Sequence, residues 1–267
     1  METSLDGQSV YAATGGRPFE PARPTIIFLH GAGMDHSVWA LQTRYFAHRG
    51  LSVLALDLPG HGRSGGDPLT SIEDLGAWVL RLQAALGLKQ AALVGHSMGA
   101  LIALEAAGSA PERCSALALL GAAPQMPVHP DLLAAAAANE PRALGLICDW
   151  GHGPTGHRGG NRAPGLWLLG GGIRLLEKAR PGVLACDLEA CNAYQQSASR
   201  GPAVRAPALV LSGALDKMTP AKAGGKLAAL LPRGIFQALP GAGHMMMLEQ
   251  PDETLDSLRG FLQSYVR

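Results

Sequence analysis

The chain has 267 residues, 47% apolar and 16% charged, which is too apolar for intrinsic disorder and long enough to bury a sizeable core. Its 22 Lys and Arg against 21 Asp and Glu leave a formal net charge of +1 with no basic cluster, which argues against nucleic acid or an anionic membrane as partner. The four cysteines, Cys114, Cys148, Cys186 and Cys191, lack CxxC spacing and histidines at zinc-finger intervals, so reduced, buried thiols are expected instead of disulfides or structural zinc.

In chain order, Met1 to Val10 is polar and lacks the basic and apolar regions of a secretory signal. No run of 18 apolar residues occurs, and a soluble, cytoplasmic protein is expected. Asp6-Gly7 between short alternating segments predicts a hairpin. Apolar runs then follow at Thr25–Leu29, Ser52–Leu56, Ala91–Val94, Ala116–Leu120, Ala208–Leu211 and Ile235–Leu239. Runs apolar on both faces fit strands of a parallel sheet buried between helices.

Helices are predicted between these strands. Over Ser71–Leu86, Ser71 and Asp74 have capping-box spacing, and Leu75, Trp78, Val79 and Leu82 fall on one helical face. An amphipathic helix is predicted over Met98–Ala107, another over Thr219–Leu230 with Pro220 at its first position, and a last over Pro251–Tyr265. The alternation predicts a mostly parallel, doubly wound α/β sheet. It breaks between Pro124 and Pro207. Helices are predicted there at Asp131–Asn139 and Val183–Tyr194, whereas residues 145–172, with ten glycines and little periodicity, read as irregular. The expected organisation is a core of residues 1–123 and 207–267 with a mainly helical cap, 124–206, inserted after the sixth strand.

Chemistry concentrates at Gly95-His96-Ser97-Met98-Gly99. In a chain with 35 glycines a lone GxSxG is weak, and a glycine-rich turn whose serine caps a helix is the competing reading. Its place between a buried strand and a helix is the setting of a nucleophile elbow, where serine occupies a strained turn and side chains two residues away on either side would collide. Four further segments fall in a telling order. His30-Gly31-Ala32-Gly33 follows the first buried strand and Asp57-Leu58-Pro59-Gly60-His61-Gly62-Arg63-Ser64 the second. Ser212-Gly213-Ala214-Leu215-Asp216 ends a late strand, and Gly241-Ala242-Gly243-His244 follows the last.

With these segments the chain resembles the α/β-hydrolase family over nearly its whole length outside the insertion. The resemblance implies the α/β-hydrolase fold and a catalytic set of Ser97, Asp216 and His244 in the family's order. A serine hydroxyl needs a base to take its proton, and an imidazole with an ordinary pKa of about 6.5 can accept that proton and return it. Asp216 would fix the tautomer of His244 and stabilise the imidazolium. The backbone N–H groups of Met98 and Ala32 would form the oxyanion hole, with Gly31 and Gly33 allowing close approach. Asp57, the rival carboxylate, reads as a turn residue, and no carboxylate directly follows Leu120.

Ser97 as nucleophile argues against dehalogenase and epoxide hydrolase chemistry, whose family members place aspartate there. The resemblance leaves a serine esterase-like hydrolase acting through an acyl-enzyme on a small-to-medium, largely apolar acyl substrate. The alternatives are a C–C bond hydrolase or enol-lactonase of aromatic degradation, a perhydrolase or non-haem haloperoxidase-like activity, and a ligand-binding homologue without turnover. Apolar residues of the insertion, among them Leu132, Ile147, Trp150 and Trp167, are expected to roof the site. His30, Gly31, Trp39, His96, Trp150, Trp167 and Met245 are the candidate pocket residues, although core packing is the favoured reading for Trp39 and a structural role for His96. His61 reads as a turn residue, and His36 and His48 as solvent-facing positions on the first helix. His152 and His157 lack a convincing third ligand, so neither metal nor cofactor is expected. Arg142, Arg158, Arg162 and Arg174 read as solvated surface. The sequence does not fix the oligomeric state.

Overall fold

A computed structural model describes residues 1–159 and 166–266. Its sheet comprises β1 (Glu2–Leu5), β2 (Gln8–Ala13), β3 (Thr25–Leu29), β4 (Ser52–Leu56), β5 (Ala91–His96), β6 (Cys114–Leu120), β7 (Ala208–Gly213) and β8 (Gly234–Leu239). Spatially the order is β1-β2-β4-β3-β5-β6-β7-β8. The β1–β2 and β2–β4 pairs are antiparallel, and every pair from β4 to β8 is parallel. Asp6 and Gly7 both take positive φ, 52° and 77°, in the turn between β1 and β2, matching the expected hairpin.

The helices are α1 (Ala40–Ala47), α2 (Ile72–Ala85), α3 (Met98–Ser109), α4 (Pro130–Ala137), α5 (Pro141–Gly151), α6 (Pro154–His157), α7 (Leu168–Leu176), α8 (Val183–Ala193), α9 (Ser197–Ala203), α10 (Ala221–Leu230), α11 (Met246–Glu249) and α12 (Pro251–Leu262). The central strands alternate between two buried layers, which is why their sequences are apolar throughout. Ile27, Leu29, Leu54, Leu56 and Leu93 face a cluster with Leu75, Trp78, Val79 and Leu82 of α2. Ile26, Phe28, Val53 and Val94 face the other, with Phe46 of α1 and Leu258 and Phe261 of α12.

Several local expectations hold. Ser71 caps α2, its hydroxyl accepting the Asp74 N–H at 3.0 Å. Others change. The helix after the elbow is not amphipathic: Met98 through Gly108 of α3 are all buried, as befits a helix covered on every side. Pro220 is the N-cap of α10, with extended backbone, one residue before the helix begins.

Helices α4 to α9 lie between β6 and β7, and α9 packs on core helix α3 through the Arg200–Glu105 ion pair at 2.8 Å. The segment read as irregular contains most of α5, all of α6 and the start of α7. Proline at the first position starts both α5 and α6, and Gly170 and Gly172 permit close packing, whereas Gly145, Gly159 and Gly171 face open space. A Cβ on Gly172 would lie 3.0 Å from Cys148 Sγ, and one on Gly170 would lie 2.1 Å from the Trp167 ring. Cys114, Cys148 and Cys191 are buried free thiols, and Cys186 is half-buried. Among the described residues no helix is long and apolar enough to cross a membrane.

Candidate active site

Ser97 sits between β5 and α3 at φ 54°, ψ −119°, a left-handed conformation costly for a residue with a side chain. Its N–H is held by Leu120 O at 2.9 Å. The flanking glycines are required by space: a Cβ on Gly95 would come within 2.1 Å of Gly99 O, and one on Gly99 within 2.3 Å of Leu29 O. The turn therefore lifts Ser97 out of the sheet while its neighbours pack backbone to backbone. Met98 is the first residue of α3, so its N–H has no acceptor within the helix.

His244 follows β8, and Asp216 lies in the turn after β7. His244 Nδ1 is 2.8 Å from Asp216 Oδ2, with both side chains buried. Asp216 Oδ1 also accepts the N–H groups of Met218 and Thr219, both at 2.8 Å, and Oδ2 accepts the Thr219 hydroxyl at 2.7 Å. Burial alone would raise the Asp216 pKa, but the His244 charge and these hydrogen bonds outweigh it and hold the carboxyl below the usual range. With Nδ1–H donating to the carboxylate, Nε2 is the nitrogen left to accept. Among the described residues, His244 Nε2 and Ser97 Oγ are both buried without a hydrogen-bond partner. Gly121, directly after β6, makes room for the imidazole: a Cβ there would stand 3.0 Å from His244 Nδ1.

The loop after β3 reaches the elbow. A Cβ on Gly31 would lie 3.3 Å from Ser97 Cβ and 3.1 Å from His96 Nδ1, so the loop passes directly beside the serine at Gly31, the residue before Ala32. Gly31, which allows this approach, was conspicuous in the sequence, whereas Gly33 makes room against Leu184 and Leu176 instead. Thr219, which braces Asp216, was missed, although Asp216-Lys217-Met218-Thr219 has the spacing of a side-chain-capped turn.

The other candidate pocket residues have mostly supporting roles. His30 is fully buried: Nδ1–H donates to Gly31 O at 2.8 Å, and Nε2 accepts the Leu58 N–H at 3.2 Å. Burial, assisted by the charge of His61, lowers its pKa to about 4, so it is a neutral brace. His96 is also fully buried and donates from Nε2 to the His244 carbonyl at 3.0 Å. Burial and the charge of His244 lower its pKa to about 3. Trp39 is fully buried with its ring centroid 5.1 Å from that of Phe28, a core position and not a pocket wall. Trp167 is 67% exposed, with its ring laid on Gly170, so it does not roof the site as expected.

Met245 is buried, and its N–H binds Gly151 O of α5 at 3.0 Å. Glu249 reinforces that junction, accepting the N–H groups of Gly153 at 2.7 Å and Gly243 at 3.0 Å. Trp150 lines a groove of about 350 Å³ with Val128, His129, Leu132, Lys217 and Met218, beside the turn that carries Asp216.

Remaining polar candidates separate in the same way. Asp57 folds the turn after β4, its two oxygens accepting the N–H groups of His36 and Arg63, each at 2.8 Å. His36 is not a solvent-facing helix residue: it is half-buried with Nδ1 2.8 Å from Asp57 Oδ1, whereas His48 is exposed at the end of α1. Asp35, His36 and Asp57 could bring ligand atoms within 4.8 Å of one another, but Asp57 already holds two amides and Asp35 holds the N–H and hydroxyl of Ser37. His152 donates from Nδ1 to Cys148 O at 2.9 Å, and His157 Nε2 lies 3.1 Å from Asp149 O. Arg142 and Arg174 make exposed ion pairs with Asp131 and Glu177, Arg158 is exposed, and Arg162 lies outside the described residues.

A family model described as the alpha/beta hydrolase family matches residues 26–257. The chain is 31% identical over 249 residues to a pimeloyl-(acyl-carrier protein) methyl ester esterase of Aromatoleum aromaticum, spanning 86% of this chain and 95% of that protein. It superposes on a thermophilic esterase with TM-score 0.80 at 26% identity, covering 99% of this chain and 97% of that one. An enol-lactonase from Burkholderia xenovorans LB400 shares the fold, with TM-score 0.84 at 24% identity over 98% of this chain and 100% of that one.

Proposed function

The chain belongs to the alpha/beta hydrolase family, and on that premise we propose that it is a serine hydrolase that cleaves a carboxylic ester or related acyl bond through an acyl-enzyme. Ser97 Oγ attacks the acyl carbon as His244 Nε2 takes its proton. Asp216 holds Nδ1–H, which keeps the accepting lone pair on Nε2 and stabilises the imidazolium that forms. The N–H groups of Met98 and Ala32 receive the negative charge that develops on the substrate oxygen. The imidazolium then gives its proton to the leaving alcohol. Water, deprotonated by the same nitrogen, attacks the acyl-enzyme and releases the acid, which restores Ser97.

One observation carries this reading. Among the described residues Ser97 Oγ and His244 Nε2 are buried polar atoms without partners, and burying such atoms unsatisfied costs about 1–3 kcal/mol each. That cost has a reason where a substrate or a transferring proton supplies the missing bond. The apolar side chains of α4 and α5 and the groove beside the Asp216 turn favour a small-to-medium, largely apolar acyl group. The methyl ester esterase of Aromatoleum aromaticum, similar along nearly its whole length, favours an ester over a C–C bond.

The test is Ser97→Ala assayed with short p-nitrophenyl esters. Hydrolysis is expected to disappear while the circular dichroism spectrum and melting temperature remain those of the parent. Turnover retained by the variant would overturn the assignment.

A further inference from the structure

The loop that passes beside Ser97 is anchored by a carboxylate contributed from the inserted helices. Asp187 of α8 is 1% exposed, and its Oδ2 accepts the Gly33 N–H at 2.8 Å. The same oxygen lies 2.8 Å from His61 Nε2, and His61 Nδ1 lies 2.9 Å from Pro59 O. Both ring nitrogens therefore face acceptors, which an imidazole satisfies fully only as the doubly protonated cation. Burial pulls the His61 pKa down, but the charge and hydrogen bond of Asp187, with the Pro59 carbonyl and the charge of Asp57, raise it above its ordinary value.

Ala32 lies between two fixed points. On one side the Gly31 carbonyl accepts from His30 Nδ1 at 2.8 Å and from the Met34 N–H at 3.2 Å. On the other, the Gly33 N–H is taken by Asp187. Gly33 has φ +67°, and a Cβ there would lie 3.0 Å from Leu184 Cδ1 and 3.2 Å from Leu176 Cδ2, so α7 and α8 also press on the loop. Asp187 stands on the buried side of α8 beside Leu184 and Leu188, a costly place for a carboxylate unless it is paired.

We propose that Asp187, paired with His61, is a positioning residue that holds the Gly31–Gly33 loop so that the Ala32 N–H meets the oxyanion of the transition state. This rests on the acyl-transfer reading above and assigns α8 a part in the chemistry beyond covering the site. Preorganised donors act only where they are aimed at the charge that develops, so a displaced loop lowers turnover more than substrate binding.

The experiment measures kcat and KM for Asp187→Asn and Asp187→Ala per active site, with sites counted by stoichiometric organophosphonate titration. The nearly isosteric asparagine keeps a folded comparison should the alanine variant be unstable. A misplacement of about 1 Å can cost about 100-fold, so kcat per titrated site is expected to fall about 10-fold in Asp187→Asn and about 100-fold in Asp187→Ala, with KM within about threefold. A purely structural role would lower the titre and the melting temperature but leave kcat per site within about twofold of the parent, which overturns the inference. A loss carried by KM overturns it too. Ser97→Ala runs alongside: its retained turnover would remove the underlying reading and this inference together, whereas an inactive Ser97→Ala with unchanged Asp187 variants removes only the inference.

Discussion

Among the described residues two fully buried histidine–carboxylate pairs share one length and differ in what surrounds them. His244 and Asp216 are 2.8 Å apart, as are His61 and Asp187. The difference lies at the opposite ring nitrogen. His61 Nδ1 faces the Pro59 carbonyl at 2.9 Å, so the ring is bonded at both ends and its raised pKa holds the proton in place. Among the described residues His244 Nε2 has no hydrogen-bond partner, and neither has the buried Ser97 hydroxyl. A closed pair fixes a loop, whereas an open one can pass a proton. The proposed proton transfer uses the combination in His244, a carboxylate at Nδ1 and an open Nε2; among the described residues His96 Nδ1 and His152 Nε2 are also open, but those rings bond to backbone carbonyls and not to a carboxylate.

The largest effect that could break this contrast is loss of the open pair. Ser97→Ala and His244→Ala are each expected to lower kcat by about 10⁶-fold, and the double variant no further, because the groups act as a unit. Additive losses in steady-state assays would contradict that coupling. Asp216→Asn keeps the shape but permits the wrong tautomer, and a kcat lower by about 10⁴-fold is expected from the same assay.

The next effects concern stability. His30 and His96 have native pKa values lowered to about 4 and about 3, and burial lowers that of His152 as well. In the unfolded chain they protonate near pH 6.5, so their contribution is complete above that pH and is lost as pH falls toward the native values. Urea unfolding is expected to show stability falling between pH 6.5 and 4.5, by up to about 1.4 kcal/mol per pH unit for each group. The depressed carboxyls of Asp57 and Asp216 begin to lose their contribution only below their ordinary value of 3.8, outside that window. Stability unchanged from pH 6.5 to 4.5 would contradict the neutral, buried state of these histidines.

His61 has the opposite sign. Its native pKa is raised, so its contribution is complete below about 6.5 and is lost as pH rises through the native value. Asp187→Asn should therefore flatten the decline in stability as pH rises above about 6.5. An unchanged alkaline slope would show that the closed pair carries no proton of its own.

Much of this arrangement could be read before any coordinates. Strands β3 to β7 were legible because a parallel sheet covered on both faces leaves only apolar side chains, and the elbow because Gly95 and Gly99 have no space for a Cβ; β8, at the sheet edge, is instead exposed from Gly234 to Ala238 despite its apolar run. Helices α5 and α7 were obscured by glycines whose weak helix propensity is overridden by packing, as where Gly172 lets α7 approach Cys148. The prolines that start α5 and α6 were present and carried the signal. Nearness in sequence to Gly33 associates Trp39 with the site, but the short 3-10 helix His36–Trp39 after that loop turns its ring into the core. Asp187 was visible as an acid among apolar residues of a predicted helix. Its partners, Gly33 and His61, lie on loops after other strands, and local patterns cannot supply such pairings.

The most direct test of the central claim is peptide mass spectrometry after incubation with a fluorophosphonate, on the parent and on His244→Ala. The account predicts one adduct per chain on Ser97 in the parent, with labelling strongly slowed in the variant. An adduct confined to another residue, or none on a protein that still hydrolyses esters, would contradict it.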